Sequence, residues 1–122
     1  MQKTVLVVED VEDARVMMRV MIEQQGHSVI EAAGAYDAIA KAEEYHPDLI
    51  LMDIGLPLLD GLSTATLIRR TDDDLDKTPI IAVTAFRDVR DQAEKAGCSG
   101  VLYKPVDAKQ LERLLRKHLS GH

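Results

Sequence analysis

The sequence predicts an α/β domain, a doubly wound (βα)5 three-layer sandwich in which helices cover both faces of a five-stranded parallel sheet. Five apolar runs alternate with five helical patterns, and no linker, repeat or low-complexity segment interrupts them. Right-handed crossovers between successive parallel strands then place helices on both faces. The length of 122 residues fits one domain of about 100–150 residues. It is too short for the eight units of an α/β barrel.

The first strand and helix are distinguished by a change in the period of their apolar residues. Thr4–Val8 is a continuous, largely β-branched run, which is typical of a parallel strand buried on both faces. From about Glu12 to Gln25 the apolar residues recur at the helical period, and Gly26 is a natural C-terminal stop. The inward face of this helix is predicted to hold Ala14, Met17, Met18, Met21 and Ile22. Core filling is the favoured role of the three methionines, and an exposed, adaptable contact for a partner is the alternative.

The middle of the chain contains two further strands and two helices. Ser28–Glu31 is a short, weaker strand, and Ala35–Tyr45 is an alanine-rich helix that ends before His46-Pro47. Leu49–Met52 is the third apolar run, and a loop containing glycine and proline separates it from a helix near Leu62–Arg70. Each strand is thus followed by a helix, as parallel strands require.

The last part of the chain begins with an acidic loop that we expect to face solvent without a further role. Its acidic residues are Asp72, Asp73, Asp74 and Asp76. Pro79–Val83 is the fourth strand, Val89–Ala96 is a helix stopped by Gly97, and Val101–Tyr103 is the fifth strand. Asp107-x-x-Gln110 resembles a capping box for a last helix. That helix is predicted to bury Leu111, Leu114, Leu115 and Leu119.

The composition excludes several classes of function. Fifteen basic against 21 acidic residues give a net charge of −6, which disfavours nucleic-acid binding because phosphate contacts need clustered Lys and Arg. Aromatic residues make up 3%, so bases have no stacking platform, and no apolar stretch reaches the roughly 18 residues of a membrane span. The single cysteine, Cys98, suits a reducing compartment. We therefore expect a soluble, cytoplasmic domain without direct nucleic-acid or membrane contacts.

Polar residues follow four of the five strands, at the carboxyl edge where parallel sheets form ligand sites. Glu9 and Asp10 follow the first strand, Asp53 the third, Thr84 the fourth and Lys104 the fifth. Three carboxylates brought together repel one another unless a cation shares the site. Oxygen ligands suit a hard divalent ion such as Mg²⁺, and Lys104 adds a positive charge. Solvated strand ends would explain any one of these residues, but not all five at matching positions.

The pattern resembles the response regulator receiver domains of the CheY-like superfamily over nearly the whole chain. The resemblance is carried by Glu9-Asp10, the run Leu51–Pro57, Asp60-Gly61, Thr84-Ala85 and Lys104-Pro105. It implies the flavodoxin-like strand order 2-1-3-4-5 and a single receiver domain over residues 1–122, without an output domain. Such a domain is a signalling switch and not an enzyme, apart from its own phosphorylation and dephosphorylation.

The resemblance also implies a phosphoacceptor and a metal site. Asp53 is expected to accept a phosphoryl group from a phosphohistidine. Mg²⁺ is expected to bind Asp10 and Asp53 directly, Glu9 through water, and the backbone carbonyl of Gly55. Mn²⁺ could substitute for it.

Further roles follow from the same resemblance. Thr84 and Lys104 are expected to contact the phosphoryl oxygens, while Ala85 and Pro105 are structural parts of the site, with a cis Lys104–Pro105 peptide bond. The implied donor is a sensor histidine kinase or a histidine phosphotransfer protein. A downstream protein is expected to bind the face formed by the fourth helix, the fifth strand and the fifth helix.

Two features depart from the family pattern, and both concern the output switch. The position three residues before the lysine holds Val101 rather than Tyr or Phe, and the aromatic residue is Tyr103. Because residues 101 and 103 share a face of the strand, Tyr103 could cover part of that role, although a packing or interface role is favoured. The segment Thr84–Lys104 is also slightly shorter than is typical.

Other functions fit the residues less well. A phosphatase or mutase resembling the haloacid dehalogenases needs a second aspartate where this chain has Gly55. An FMN binder needs a Ser/Thr-rich phosphate loop where this chain has the acidic segment Glu9–Asp13. Two further interpretations stay open: a receiver excised from a longer DNA-binding regulator or hybrid kinase, and a phosphorylation-independent interaction module.

Overall fold

The computed structural model describes residues 2–71 and 73–119 and confirms the predicted fold class. The strands are β1 (Thr4–Val8), β2 (Ser28–Ala32), β3 (Leu49–Asp53), β4 (Ile80–Thr84) and β5 (Gly100–Tyr103). All pair in parallel, in the order β2-β1-β3-β4-β5. The order reverses between β1 and β3, and such a reversal opens a crevice at the carboxyl ends of the strands.

Within residues 2–71 and 73–119, five α-helices connect and follow the strands, and the bounds of the first four lie within two residues of the predicted ones. They are α1 (Glu12–Glu23), α2 (Ala35–Tyr45), α3 (Gly61–Thr71), α4 (Arg90–Lys95) and α5 (Ala108–Leu119). The first helix ends at Glu23 rather than Gln25 because the chain turns there, with Gly26 in the left-handed region at φ 91°. None of the described helices is long and apolar enough to cross a membrane.

Alternate residues of each strand face two separate cores, so the sheet is the middle of three layers. On β1, Leu6 and Val8 pack in the core shared with α2, α3 and α4. Val5 and Val7 pack in the opposite core, shared with α1 and α5. The leucines predicted to face inward on α5 contribute to this second core. Leu111, Leu115 and Leu119 are buried in it, and Leu114 is partly buried against it.

The methionines of α1 do not share one inward face. Met18 is buried together with Ile22, one turn further along the helix, whereas Met21 is partly buried and Met17 is 61% exposed. Positions four apart share a face of a helix, and adjacent positions point about 100° apart. The prediction that Met17 faces inward is therefore wrong, and the alternative of an exposed methionine describes it.

The acidic loop after α3 is more than a solvent-facing segment, because it contains a short 3-10 turn, Asp73–Leu75, with a buried leucine. Leu75 is 1% exposed and belongs to the core under α3. The Arg69 guanidinium donates hydrogen bonds to the carbonyls of Leu75 (2.7 Å) and Gly97 (2.8 Å), which connects this turn to the chain segment after α4. Asp73, Asp74 and Asp76 face solvent as expected, whereas the buried Leu75 corrects the expectation for the loop as a whole, and Asp72 lies outside the described residues.

Glu31 of β2 ties one edge of the sheet to α1. Its Oε1 accepts a hydrogen bond from Nε of Arg15 at 2.9 Å, and its Oε2 accepts one from Nη1 of Arg19 at 2.7 Å. The hydrogen bond from Arg19 is the main cause that lowers the pKa of Glu31, and the Arg15 hydrogen bond adds to it against the opposing effect of burial. A carboxyl whose pKa is lowered by folding stabilises the fold above its unfolded pKa, and this stabilisation is lost as pH falls through the folded pKa.

We expect Glu31→Gln to lower the free energy of unfolding at neutral pH by about 1 kcal/mol, because a charge-assisted pair at a partly exposed site is lost. The deficit relative to wild type should shrink as pH falls from the ordinary glutamate pKa of about 4.3 through the lowered pKa of the folded Glu31 carboxyl. Urea unfolding at a series of pH values measures this. Glu43→Gln, the same charge change at an exposed site on α2, is the control. A Glu31→Gln deficit that stays constant across the pH series would contradict the expectation.

Candidate functional site

Three carboxylates meet at the carboxyl edge of the sheet, where the strand order reverses. Glu9 directly follows β1, Asp10 comes next, and Asp53 is the last residue of β3. One carboxylate oxygen from each residue lies within 4.8 Å of the others. Glu9 and Asp53 are 5% and 8% exposed, while Asp10 faces solvent. The adjacency of β1 and β3 thus builds a compact acidic cluster from distant parts of the chain.

The ammonium of Lys104, which follows β5, lies between the two buried carboxylates. Its Nζ is 3.3 Å from Oε1 of Glu9 and 3.3 Å from Oδ2 of Asp53. The other two oxygens accept backbone hydrogen bonds, Asp53 Oδ1 from Gly55 at 2.9 Å and Glu9 Oε2 from Val11 at 3.0 Å. Every carboxylate oxygen of Glu9 and Asp53 therefore has a hydrogen-bond donor.

Burial and neighbouring charge both act on the ionisation of this cluster. Burial raises the pKa of Glu9, and the proximity of Asp53 raises it further, against the hydrogen bond from Val11 and the charge of Lys104. Burial alone would lower the pKa of Lys104, but the charges of Asp53 and Glu9 outweigh it and raise that pKa. Three ionised carboxylates and one ammonium leave two negative charges uncompensated. This charge and the all-oxygen donor set fit a hard divalent cation such as Mg²⁺.

The other predicted residues lie at the neighbouring strand ends. Thr84, the last residue of β4, is 2% exposed, and its Oγ1 accepts a hydrogen bond from the N–H of Phe86 at 3.0 Å. The backbone N–H of Lys104 donates to the Thr84 carbonyl at 2.7 Å, which ties the ends of β4 and β5 together. Ala85 is exposed at the start of the following loop, and the Lys104–Pro105 peptide bond is cis. The structure thus brings the hydroxyl and the ammonium to the same edge as the carboxylates.

Comparisons with known proteins agree with this arrangement. The family model of the response regulator receiver domain matches residues 5–116. The polar-differentiation response regulator DivK of Brucella ovis is 35% identical over 121 residues, which cover 98% of each chain. The chain belongs to the response regulator receiver domain family. Members of this family are signalling domains of two-component systems rather than classical enzymes.

Solved structures of receivers superpose closely on this one. The chemotaxis protein CheY4 of Vibrio cholerae gives a TM-score of 0.92 with 26% identity, covering 98% of this chain and 100% of that one. The receiver domain of the sensor histidine kinase PA1611 of Pseudomonas aeruginosa gives 0.88 with 31% identity, covering 99% and 100%. The PA1611 structure has a magnesium ion coordinated in its active site cleft.

Gly61 contributes to this receiver's site in a way that the sequence pattern did not identify. Gly61 is the first residue of α3. The loop after β3 folds back, so that the N–H of Gly61 donates a hydrogen bond to the Ile54 carbonyl at 3.2 Å. A Cβ at Gly61 would lie against the carbonyl oxygen of Asp53 and 2.5 Å from Cα of Ile54. No side chain fits there unless the backbone of the acceptor strand moves. A glycine at a helix start, a few residues after a strand-end aspartate, is the signal that could have indicated this contact.

The region of the expected output switch is arranged around Tyr103. Its ring lies 4.9 Å from the guanidinium carbon of Arg87, a cation–π distance that links β5 to the loop between β4 and α4. Val101 is partly buried and packs against the core on the α2–α4 side. Tyr103 therefore makes a packing contact with that loop, which agrees with the packing or interface role favoured for this residue from the sequence.

We expect Gly61→Ala to lower the free energy of unfolding by about 1–3 kcal/mol, because its methyl group displaces the backbone at Asp53. Gly34→Ala is the matched control, since a Cβ at Gly34 meets no atom within 4 Å. That variant loses only a glycine N-cap and should cost clearly less. Urea unfolding of both variants measures the difference, and equal costs would show that the contact at Asp53 is not tight.

Proposed function

We propose that this receiver accepts a phosphoryl group on Asp53 from a phosphohistidine of a sensor histidine kinase or a histidine phosphotransfer protein. Phosphorylation then changes its contacts with a downstream protein. The observation that carries the proposal is the setting of Asp53, the one buried aspartate among residues 2–71 and 73–119. It is hydrogen-bonded to Lys104 and clustered with two further carboxylates at the carboxyl edge of the sheet.

The proposed transfer is a displacement at phosphorus. A carboxylate oxygen of Asp53 bonds to phosphorus as the P–N bond to the donor imidazole breaks, and the electron pair of that bond stays on the imidazole nitrogen. Negative charge spreads over the equatorial phosphoryl oxygens during this step. The ammonium of Lys104, 3.3 Å from Oδ2 of Asp53, is within reach to pair with one of these oxygens. The hydroxyl of Thr84 would contact another.

The metal ligands proposed are Asp10 and Asp53 directly, the backbone carbonyl of Gly55, and Glu9 through water. The carboxylate of Asp10 makes no hydrogen bond or ion pair with any described residue, which supports a direct role. Glu9 is buried and its two carboxylate oxygens accept hydrogen bonds from Lys104 and Val11, so its proposed role through water rests on the family resemblance. Bound Mg²⁺ would neutralise the charge of the carboxylates and of the incoming phosphoryl group. Mn²⁺, with similar ligand preferences, could substitute.

The output proposed is a change in the face formed by α4, β5 and α5. The Thr84 hydroxyl accepts a hydrogen bond from the N–H of Phe86, so its rotation toward a phosphoryl oxygen would release that N–H. The loop that follows, with exposed Ala85, leads directly into α4. We propose that the partners on both sides of the transfer are proteins, without direct contact to nucleic acid or membrane, in the cytoplasm.

A single receiver domain over residues 1–122 is the domain organisation that we propose. The alignment with DivK covers 98% of that relative's own length, which supports a receiver that acts without an attached output domain. The PA1611 receiver is part of a sensor histidine kinase, which keeps a receiver from a hybrid kinase as the second candidate. A receiver from a longer DNA-binding regulator and a phosphorylation-independent interaction module stay open as well.

We expect incubation with acetyl phosphate and Mg²⁺ to add the mass of one phosphoryl group, and Asp53→Asn to abolish the adduct, because the amide is a poor nucleophile. Intact-protein mass spectrometry measures both. Asp37→Asn, an exposed aspartate on α2, is the matched control and should retain the adduct. An adduct that persists in Asp53→Asn would place the acceptor elsewhere, and labelling without added divalent metal would contradict the metal dependence.

We expect Asp10→Asn to weaken Mg²⁺ binding by about tenfold or more, and Glu9→Gln to weaken it less, because Asp10 is proposed as a direct ligand and Glu9 as a ligand through water. Isothermal titration calorimetry of each variant with MgCl₂ measures its affinity for Mg²⁺. Asp13→Asn, an exposed acidic residue close in sequence, controls for the general loss of negative charge. Equal losses for Asp10→Asn and Glu9→Gln would reject the distinction between direct and water-mediated ligands.

A further inference from the structure

We infer that Arg15 is a positioning residue for the metal site. Its guanidinium holds the backbone of the turn after β1, at Glu9 and Asp10. The inference rests on the proposed function, because it concerns the Mg²⁺ site named there. The observation that carries it is a hydrogen bond of 3.0 Å from Nη1 of Arg15 to the backbone carbonyl of Glu9. The polar contacts of Arg15 are with Glu9 and Glu31 and not with Asp53, so its effect on the site must pass through Glu9.

The guanidinium of Arg15 is itself held in place. Its side chain is 16% exposed, and its Nε donates to Oε1 of Glu31 at 2.9 Å. The Glu31 backbone is anchored in β2, paired with Val7 of β1, two residues before Glu9. A planar guanidinium with two hydrogen bonds in different directions has a defined orientation. Arg15 is therefore a rigid connection between the sheet edge and the turn after β1.

With this contact, every polar group of Glu9 has a partner. Its N–H donates to the Ala32 carbonyl at 3.0 Å, and its two carboxylate oxygens accept from Lys104 and Val11. The carbonyl is the fourth polar group, and Arg15 supplies its donor. Loss of Arg15 would free the peptide plane between Glu9 and the residue that follows it.

That following residue is Asp10, whose own carboxylate has no described partner to hold it. The position of Asp10 therefore depends on the backbone of the turn, and the backbone depends on the carbonyl contact with Arg15. Residues that orient metal ligands in this way commonly change metal affinity by about 10–100-fold when they are replaced. Arg15 is thus expected to contribute to Mg²⁺ affinity without contacting the metal.

The same helix contains a matched control. Arg19, one turn further along α1, donates to the other oxygen of Glu31 at 2.7 Å. It has the same charge and the same partner as Arg15, but its polar contacts are with Glu31 and Glu23 and not with the turn. Arg15→Gln and Arg19→Gln each remove one positive charge and one hydrogen bond to Glu31. Only the first also removes the donor to the Glu9 carbonyl.

The test is isothermal titration of the full unphosphorylated chain with MgCl₂ for wild type, Arg15→Gln, Arg19→Gln and Arg15→Lys. Arg15→Gln should weaken Mg²⁺ binding by about tenfold, while Arg19→Gln should stay within about twofold of wild type. Arg15→Lys should be intermediate, because lysine keeps the charge but cannot donate to Glu31 and Glu9 through a planar fork. Equal losses in Arg15→Gln and Arg19→Gln would overturn the inference, since the effect would then come from charge or from the Glu31 pair.

A second measurement needs no metal. Arg15→Gln should accelerate hydrogen exchange of the Val11 amide, whose N–H bonds to Glu9 Oε2, and Arg19→Gln should not. An unchanged Val11 exchange rate in Arg15→Gln would overturn the inference even if that variant is less stable overall. Failure of the wild type to bind Mg²⁺ would refute the metal site of the proposed function, whereas the Val11 measurement would still decide whether Arg15 holds the turn.

Discussion

The structure depends on one ammonium group, Lys104 Nζ, held between two buried carboxylates. An unpaired charge in a buried position costs on the order of several kcal/mol, and Glu9 and Asp53 bring two like charges together. Lys104 follows the last strand, while the carboxylates come from the first and the third. The ion pairs can therefore form only when β1, β3, β4 and β5 stand side by side in register. The site is therefore complete only in the assembled sheet.

Much of the fold and the acidic site could be predicted because they follow from patterns that are local in sequence. Strands that are buried on both faces have continuous apolar sequences, and the polar residue that follows each such sequence must lie at the carboxyl edge of the sheet. Asp53 and Lys104 can be placed at the same edge of the sheet on these grounds, and their 3.3 Å contact agrees with that placement. Strand order needed the family resemblance, since the residues do not say which strands are neighbours.

The remaining features could not be predicted because they depend on contacts between distant backbone segments. The close packing of Gly61 on the Asp53 carbonyl requires the loop after β3 to fold back, and the contact of Arg15 with the Glu9 carbonyl requires α1 to dock on β2. The exposure of Met17 escapes prediction because the helical period allows several rotations of α1, and only packing selects the one that buries Met18. The burial of Leu75 escapes it because a single apolar residue among aspartates has no periodic signal.

The charge of the site suggests where a phosphorylation signal can travel. The proposed conversion of the Asp53 carboxylate to an acyl phosphate would increase its negative charge to about −2, which would draw Lys104 and Thr84 toward the new oxygens. Thr84 is bonded through its hydroxyl to Phe86, at the start of an exposed loop. At the far end of α4, the Gly97 carbonyl is held by the guanidinium of Arg69. The six residues of α4 are thus held beyond their last turn by Arg69, while the loop before them contacts β5 through Arg87 and Tyr103, so this loop is the segment that connects the site to α4.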